Sequence, residues 1–378
     1  MAESDRQPSV YVHVGAPKTG TTFLQEVLWK NRKALADSGV CYPLRRPGEH
    51  FAATMDLRQM SWAGERKPEW EGAWERLAAR VRAWDGPTAV ISNELLGGAS
   101  VEQVATAVES LAPAQVHVVF TARDLARQLP SDWQEQIKHR REMTLEEFVT
   151  DCVEEGSHGR FGEAFWRLHD VLEVLGRWGA QLPAAHIHVV TVPQPGAPAG
   201  LLWERFAGVL GLDPAGFDTQ VARSNTSLGV VECELLRRVN RGLRGRLAPQ
   251  HYDPVIRVNL AGSVLAGLGG SRPLLPPRRY AWAVQHSARV VAGIRAAGYS
   301  VAGDLDELMP IPANAQEPVH VSDEDLLHSA VAAVAGLLVE LEPMRERLDR
   351  RGEKTATAGG STRRSAATIA KRLVHGSS

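Results

Sequence analysis

The chain has 378 residues, 44% apolar and 23% charged, enough to bury the core of one large α/β domain or two smaller ones. Lys plus Arg number 43 against 44 Asp plus Glu, so the formal net charge is −1. That balance disfavours a globally basic nucleic-acid binder and a strongly acidic solvating protein. Only seven of the cations are Lys, a bias of composition that discounts Arg-rich surface clusters as evidence of function.

The first predicted element is a strand, Val10 to Val14, running into Gly15-Ala-Pro-Lys-Thr-Gly-Thr-Thr22. A helix follows with Phe23, Leu24, Val27 and Leu28 on one face. Strand, glycine-bearing loop and helix is a unit that presents backbone N–H groups to an anion, although the same glycine turn can simply start a helix. The stretch from Pro43 to Pro68 reads as irregular. Trp70, Ala73, Trp74, Leu77, Ala78, Val81 and Trp84 recur at helical spacing, and the three tryptophans are assigned to packing. Pro87 opens a second strand, Thr88 to Ser92, followed by Asn93-Glu94. An amphipathic helix through Val101, Val104 and Val108 leads to a third strand, Gln115 to Thr121, ending at Ala122-Arg123-Asp124.

Pro130 and Ser131 read as the first turn of the next helix. Ala164, Leu168, Val171, Leu172 and Leu175 form one helical stripe, and His186 to Val192 a fourth strand. Helices then run through Phe206 and Val209 and, after the loop Val221 to Ser227, through Leu228, Val231, Leu235 and Val239. Residues 241–320 carry no readable pattern. Ser322, before three acidic residues, starts a helix with a broad apolar face up to Leu341, where Pro343 is expected to interrupt it. That helix either closes the core or pairs two subunits. The tail, Gly352 to Ser378, is expected to be disordered and basic.

Strands alternating with helices predict an α/β fold: a central parallel β-sheet flanked by helices, with a mainly helical C-terminal part. The expected division is a core over 1–240, a helical extension over 241–351 and the tail. Ligands in such sheets sit at the carboxyl ends of the strands, and Lys18, Glu94 and Arg123 each follow one. Cys41, Cys152 and Cys233 make neither a disulfide framework nor a metal-ligand spacing, and no metal is expected. The start lacks a basic-then-apolar leader, and the longest apolar run, Ala330 to Val339, is too short to span a bilayer. A cytoplasmic location with no integral membrane segment is expected.

Lys18 precedes Gly20, unlike the Gly-Lys-Ser/Thr order of nucleotide triphosphatases. Pro17-Lys18-Thr19-Gly20-Thr21-Thr22 instead resembles the 5′-phosphosulfate loop of sulfotransferases that use 3′-phosphoadenosine 5′-phosphosulfate (PAPS). Arg123 and Ser131, eight residues apart after a strand, resemble that family's 3′-phosphate pair. The stretch from Leu201 to Asn240 also looks like bacterial members. The resemblance implies a P-loop-like sulfotransferase fold, PAPS as co-substrate and adenosine 3′,5′-bisphosphate as product. It implies Phe23 and Thr191 near the adenine and Arg223 in a loop closing over the 3′-phosphate, although the familiar Arg-Lys-Gly form is absent there.

Sulfuryl transfer needs charge stabilisation, for which Lys18 is the natural group, and a base. Many relatives place a His after the second core strand. Glu94 stands there in this chain and is the proposed base, with capping or a structural bond as its other reading. His158 and His169 are rival bases, and His13 reads as a packed strand residue. The acceptor is expected to be a hydroxyl or amine of a small molecule, glycan or lipid-linked compound, not a nucleic acid. A P-loop kinase and a non-catalytic nucleotide binder are the alternatives; oligomeric state is open.

Overall fold

Val10 and Val12 on one face and Tyr11 and His13 on the other make Ser9–His13 a strand (β1) covered on both sides. The computed structural model describes residues 7–62, 64–221, 227–312, 319–343 and 345. Helices Thr21–Lys30 (α1) and Arg32–Asp37 (α2) lead to a short edge strand, Val40–Cys41 (β2). Glu49–Leu57 (α3) and Ala73–Arg82 (α4) precede Thr88–Ser92 (β3), and Val101–Ser110 (α5) precedes Gln115–Ala122 (β4). Leu125–Lys138 (α6), Leu145–Thr150 (α7), Gly162–His169 (α8) and Val171–Gly179 (α9) lie before Ile187–Thr191 (β5). Leu201–Val209 (α10), Val230–Leu243 (α11), Pro249–Tyr252 (α12), Tyr280–Ala297 (α13), Ser300–Ala302 (β6) and Asp323–Pro343 (α14) follow.

The strands form one parallel sheet in the order β2-β3-β1-β4-β5-β6. The chain leaves β1 for the edge, returns through β3, then crosses to the far side of β1 as β4. The loops after β1 and β4 therefore meet at the sheet's centre, where α/β sheets open a crevice. One face of the sheet packs Val10, Val12, Ile91, Val118 and Phe120 against α4, α5, α9 and α13. The other packs Val90, Val119 and Val190 against Leu24, Val27 and Leu28 of α1 and Trp203 and Phe206 of α10. A third apolar cluster lies off the sheet, around Leu129, Trp133 and Ile137 of α6, and draws in α7, α8, α11 and residues 252–266.

The α/β class is as expected, and several boundaries differ. The sixth strand lies at residues 300–302, so the sheet extends past the boundary placed at Asn240. Residues 43–68 contain α3, whose start is held by Glu49 accepting from the Arg45 N–H at 2.8 Å and from Arg80 at 3.2 Å. The stripe from Ala164 to Leu175 is two helices, because Asp170 breaks the first and caps the second by accepting from the Glu173 N–H at 3.0 Å. α6 begins at Leu125, not Pro130: the Asp124 side chain accepts from the Arg127 N–H at 3.1 Å and sets the start. Ser131 consequently lies in the helix interior. The tail from Gly352 lies outside the described residues.

Candidate active site

The loop after β1 stays bonded to β4 as it turns. Val14 N–H donates to Val119 at 3.0 Å and Ala16 N–H to Thr121 at 3.0 Å. Lys18 at φ 63° and Gly20 at φ 90° then reverse the chain through left-handed backbone. A Cβ at Gly20 would fall 2.4 Å from the Leu202 side chain of α10, which would have to move, but it is the left-handed backbone that calls for glycine there. α1 starts directly after Gly20, with no side chain capping it and no acidic residue in its first turn. Its first N–H groups and the positive end of its dipole are thus presented at the strand ends.

A buried polar chain supports this loop from below. His13 Nδ1 is 2.8 Å from Ser92 Oγ, and Nε2 is 3.3 Å from Thr121 Oγ1. The Thr121 hydroxyl donates to the Gly15 carbonyl at 2.9 Å and lies 2.5 Å from Thr19 Oγ1. Thr19 in turn donates to the Ala16 carbonyl at 2.5 Å. Burial pushes the His13 imidazole down to about 3, so it is neutral and carries one ring proton. With that proton on Nε2, His13 donates to Thr121 and accepts from Ser92. Thr19 therefore faces inward and shapes the loop, rather than offering its hydroxyl to a ligand.

Above the loop, Lys18 Nζ donates to Glu135 Oε2 on α6 at 3.2 Å. Burial of Glu135 is outweighed by the hydrogen bond from His139 and by Lys18 and Lys138, which hold the carboxyl well below its usual range. Ser131 lies one turn before Glu135 on the same face of α6. Arg123 directly follows β4. Its Nε donates to Gln128 Oε1 at 3.0 Å and its Nη2 to the Arg127 carbonyl at 3.0 Å. Burial, with Arg127 nearby, pushes its guanidinium down to about 9. Gln128 joins the parts: its amide N–H groups reach the Pro17 carbonyl at 2.7 Å and His169 Nδ1 at 2.9 Å.

Glu94 begins the turn after β3. Its Oε2 accepts from Gln25 of α1 at 3.0 Å, and its backbone packs against Gly15, where a Cβ would meet the Glu94 carbonyl at 3.2 Å. The carboxylate is thus beside the start of α1 and half-buried. Phe23 is half-buried on α1, packed against the apolar cluster of that sheet face. Thr21 is buried and Thr22 half-buried at the helix start.

Thr191 is fully buried; its hydroxyl donates to Glu307 Oε2 at 2.6 Å and its carbonyl accepts from Arg205 at 2.8 Å. It anchors the end of β5 and does not face the crevice. Arg223 lies outside the described residues. His158 is exposed on a turn. His169 is buried, with Gln128 on one ring nitrogen and Asp132 Oδ1 at 3.2 Å on the other.

Sequence reasoning missed Gln128, Glu135, His13 as a loop support, and the Arg205–Glu307 pair. Glu135 was findable as the residue one turn beyond Ser131; the others depend on partners far along the chain.

No family model matches the chain, and no curated protein matches it. Among solved structures the chain is similar to a sulfotransferase from Alicyclobacillus acidocaldarius, with 14% identity and a TM-score of 0.37, over 66% of this chain and 96% of that one. A likeness of that size assigns no role to any residue.

Proposed function

We propose that the protein is a sulfotransferase that moves a sulfuryl group from PAPS to a hydroxyl or amine of a small-molecule, glycan or lipid-linked acceptor. The observation that carries this reading is the uncapped start of α1 behind a turn with left-handed Lys18 and Gly20, with Arg123 joined to the same loop through Gln128. Two cationic side chains tied to one loop with an uncapped helix start suit a ligand with two anionic groups, such as a nucleotide 3′,5′-bisphosphate. When bound, PAPS supplies an activated sulfuryl group. The first N–H groups of α1, with Thr21 and Thr22, would hold the 5′-phosphate side. Lys18 would leave Glu135 and place its charge on the transferring group and the oxygen it leaves. Arg123 and Ser131 would take the 3′-phosphate, Phe23 would flank the base, and Arg223 remains a candidate for closure over the site. Glu94, oriented by Gln25, would accept the acceptor's proton as the new S–O or S–N bond forms.

Calorimetric titration with adenosine 3′,5′-bisphosphate and, separately, with ATP and Mg²⁺ tests this. Tight binding of the bisphosphate and weak binding of ATP are expected, with Lys18→Ala reducing the former. Preferential Mg²⁺-dependent ATP binding would replace this reading with the kinase. Bisphosphate binding unchanged in Lys18→Ala would remove Lys18 from the site.

A further inference from the structure

α14 has two apolar faces, and among the described residues only one is packed. Leu326, Ser329 and Ala333 are buried, and Leu337 packs against the α6 cluster. About 100° round the helix, Leu327, Val331, Val334, Leu338 and Leu341 are 55–65% exposed. Their spacing is four, three, four, three. That is the 3.5-residue repeat that keeps one seam facing a second helix, and it is not required for packing on a globular core.

We infer that this seam pairs with α14 of a second copy of the chain. Area supports a second copy as occupant. Five half- to two-thirds-exposed Leu and Val side chains offer roughly 500 Å² per copy, about 1,000 Å² in a pair, which reaches the size of a specific interface.

The helix is also long and apolar enough to cross a membrane. One face is committed to the core, however, and the charged residues between 323 and 343 are all acidic: Asp323, Glu324, Asp325, Glu340 and Glu342. Helices that lie in anionic lipid surfaces carry Lys and Arg on their flanks.

Sedimentation velocity of the full chain over a concentration series tests the pairing. A reversible dimer is expected, and the double variant Val334→Glu, Leu338→Glu should weaken it about a hundredfold or more while keeping the thermal midpoint of the monomer. A wild-type chain that stays monomeric at the highest concentration, or a dimer that the double variant leaves intact, overturns the proposal. So does a monomer that co-sediments with anionic phospholipid vesicles and loses this on the same substitution. A short thiol cross-linker gives a second readout: Val334→Cys, at the centre of the seam, should link chain to chain, and a Val334→Cys chain that stays unlinked while dimeric would overturn the seam as the contact.

Discussion

Two buried imidazoles tie stability to pH. His13 and His50 are both held neutral by burial, with pKa values pushed down to about 3. In the unfolded chain both take up a proton below about pH 6.5. Their contribution to stability is therefore full above pH 6.5 and is lost as pH falls toward 3. His50 accepts from the Ser92 N–H at 3.3 Å, a role a glutamine carbonyl can take over. Urea unfolding of His50→Gln between pH 5.5 and 4.5 should show a stability slope lower than wild type by close to one proton, about 1.4 kcal/mol per pH unit. An unchanged slope would show that His50 protonates without unfolding. At this scale the sequence was informative wherever chemistry is local. Lys18 and Gly20 sit in one short run, and Arg123 and Ser131 keep a fixed spacing after a strand. The His13 support was illegible, because its partners Ser92 and Thr121 are 79 and 108 residues away.

Among the elements, α6 does the most to assemble the site. It receives Lys18 on Glu135, carries Ser131, and ties the loop after β1 to Arg123 through Gln128. Gln128→Ala would leave the Pro17 carbonyl and His169 Nδ1 without that donor. The expected cost is about 1–3 kcal/mol of stability, together with weaker adenosine 3′,5′-bisphosphate binding, measured by thermal unfolding and calorimetry. Loss of stability with native affinity would make Gln128 a packing residue alone. The start of α6 was misread because Pro130 carries a strong first-turn signal, whereas the Asp124 cap is equally strong and comes first. α3 was missed because it is short and begins after Gly48 without a side-chain cap. Elements whose stability comes from tertiary contact announce themselves poorly in sequence.

For the whole molecule, the sheet is completed only by the last third of the chain. β6 pairs with β5, α13 supplies Val290, Val291 and Ile294 to the main core, and Glu307 holds Arg205 and Thr191. A chain ending at Asn240 should lose its cooperative thermal transition, while one ending at Pro312 should retain it. A cooperative fold for the shorter chain would restore the boundary expected at Asn240.

That late strand has a consequence for synthesis. Between β5 and β6 the ribosome must add about a hundred residues, which at 5–20 residues per second takes of the order of ten seconds. Throughout that interval the apolar strand Ile187–Thr191 is a bare edge, able to pair with any other extended chain nearby. Yield of the native protein should therefore depend on translation rate and chaperone supply more than on the stability of the finished fold.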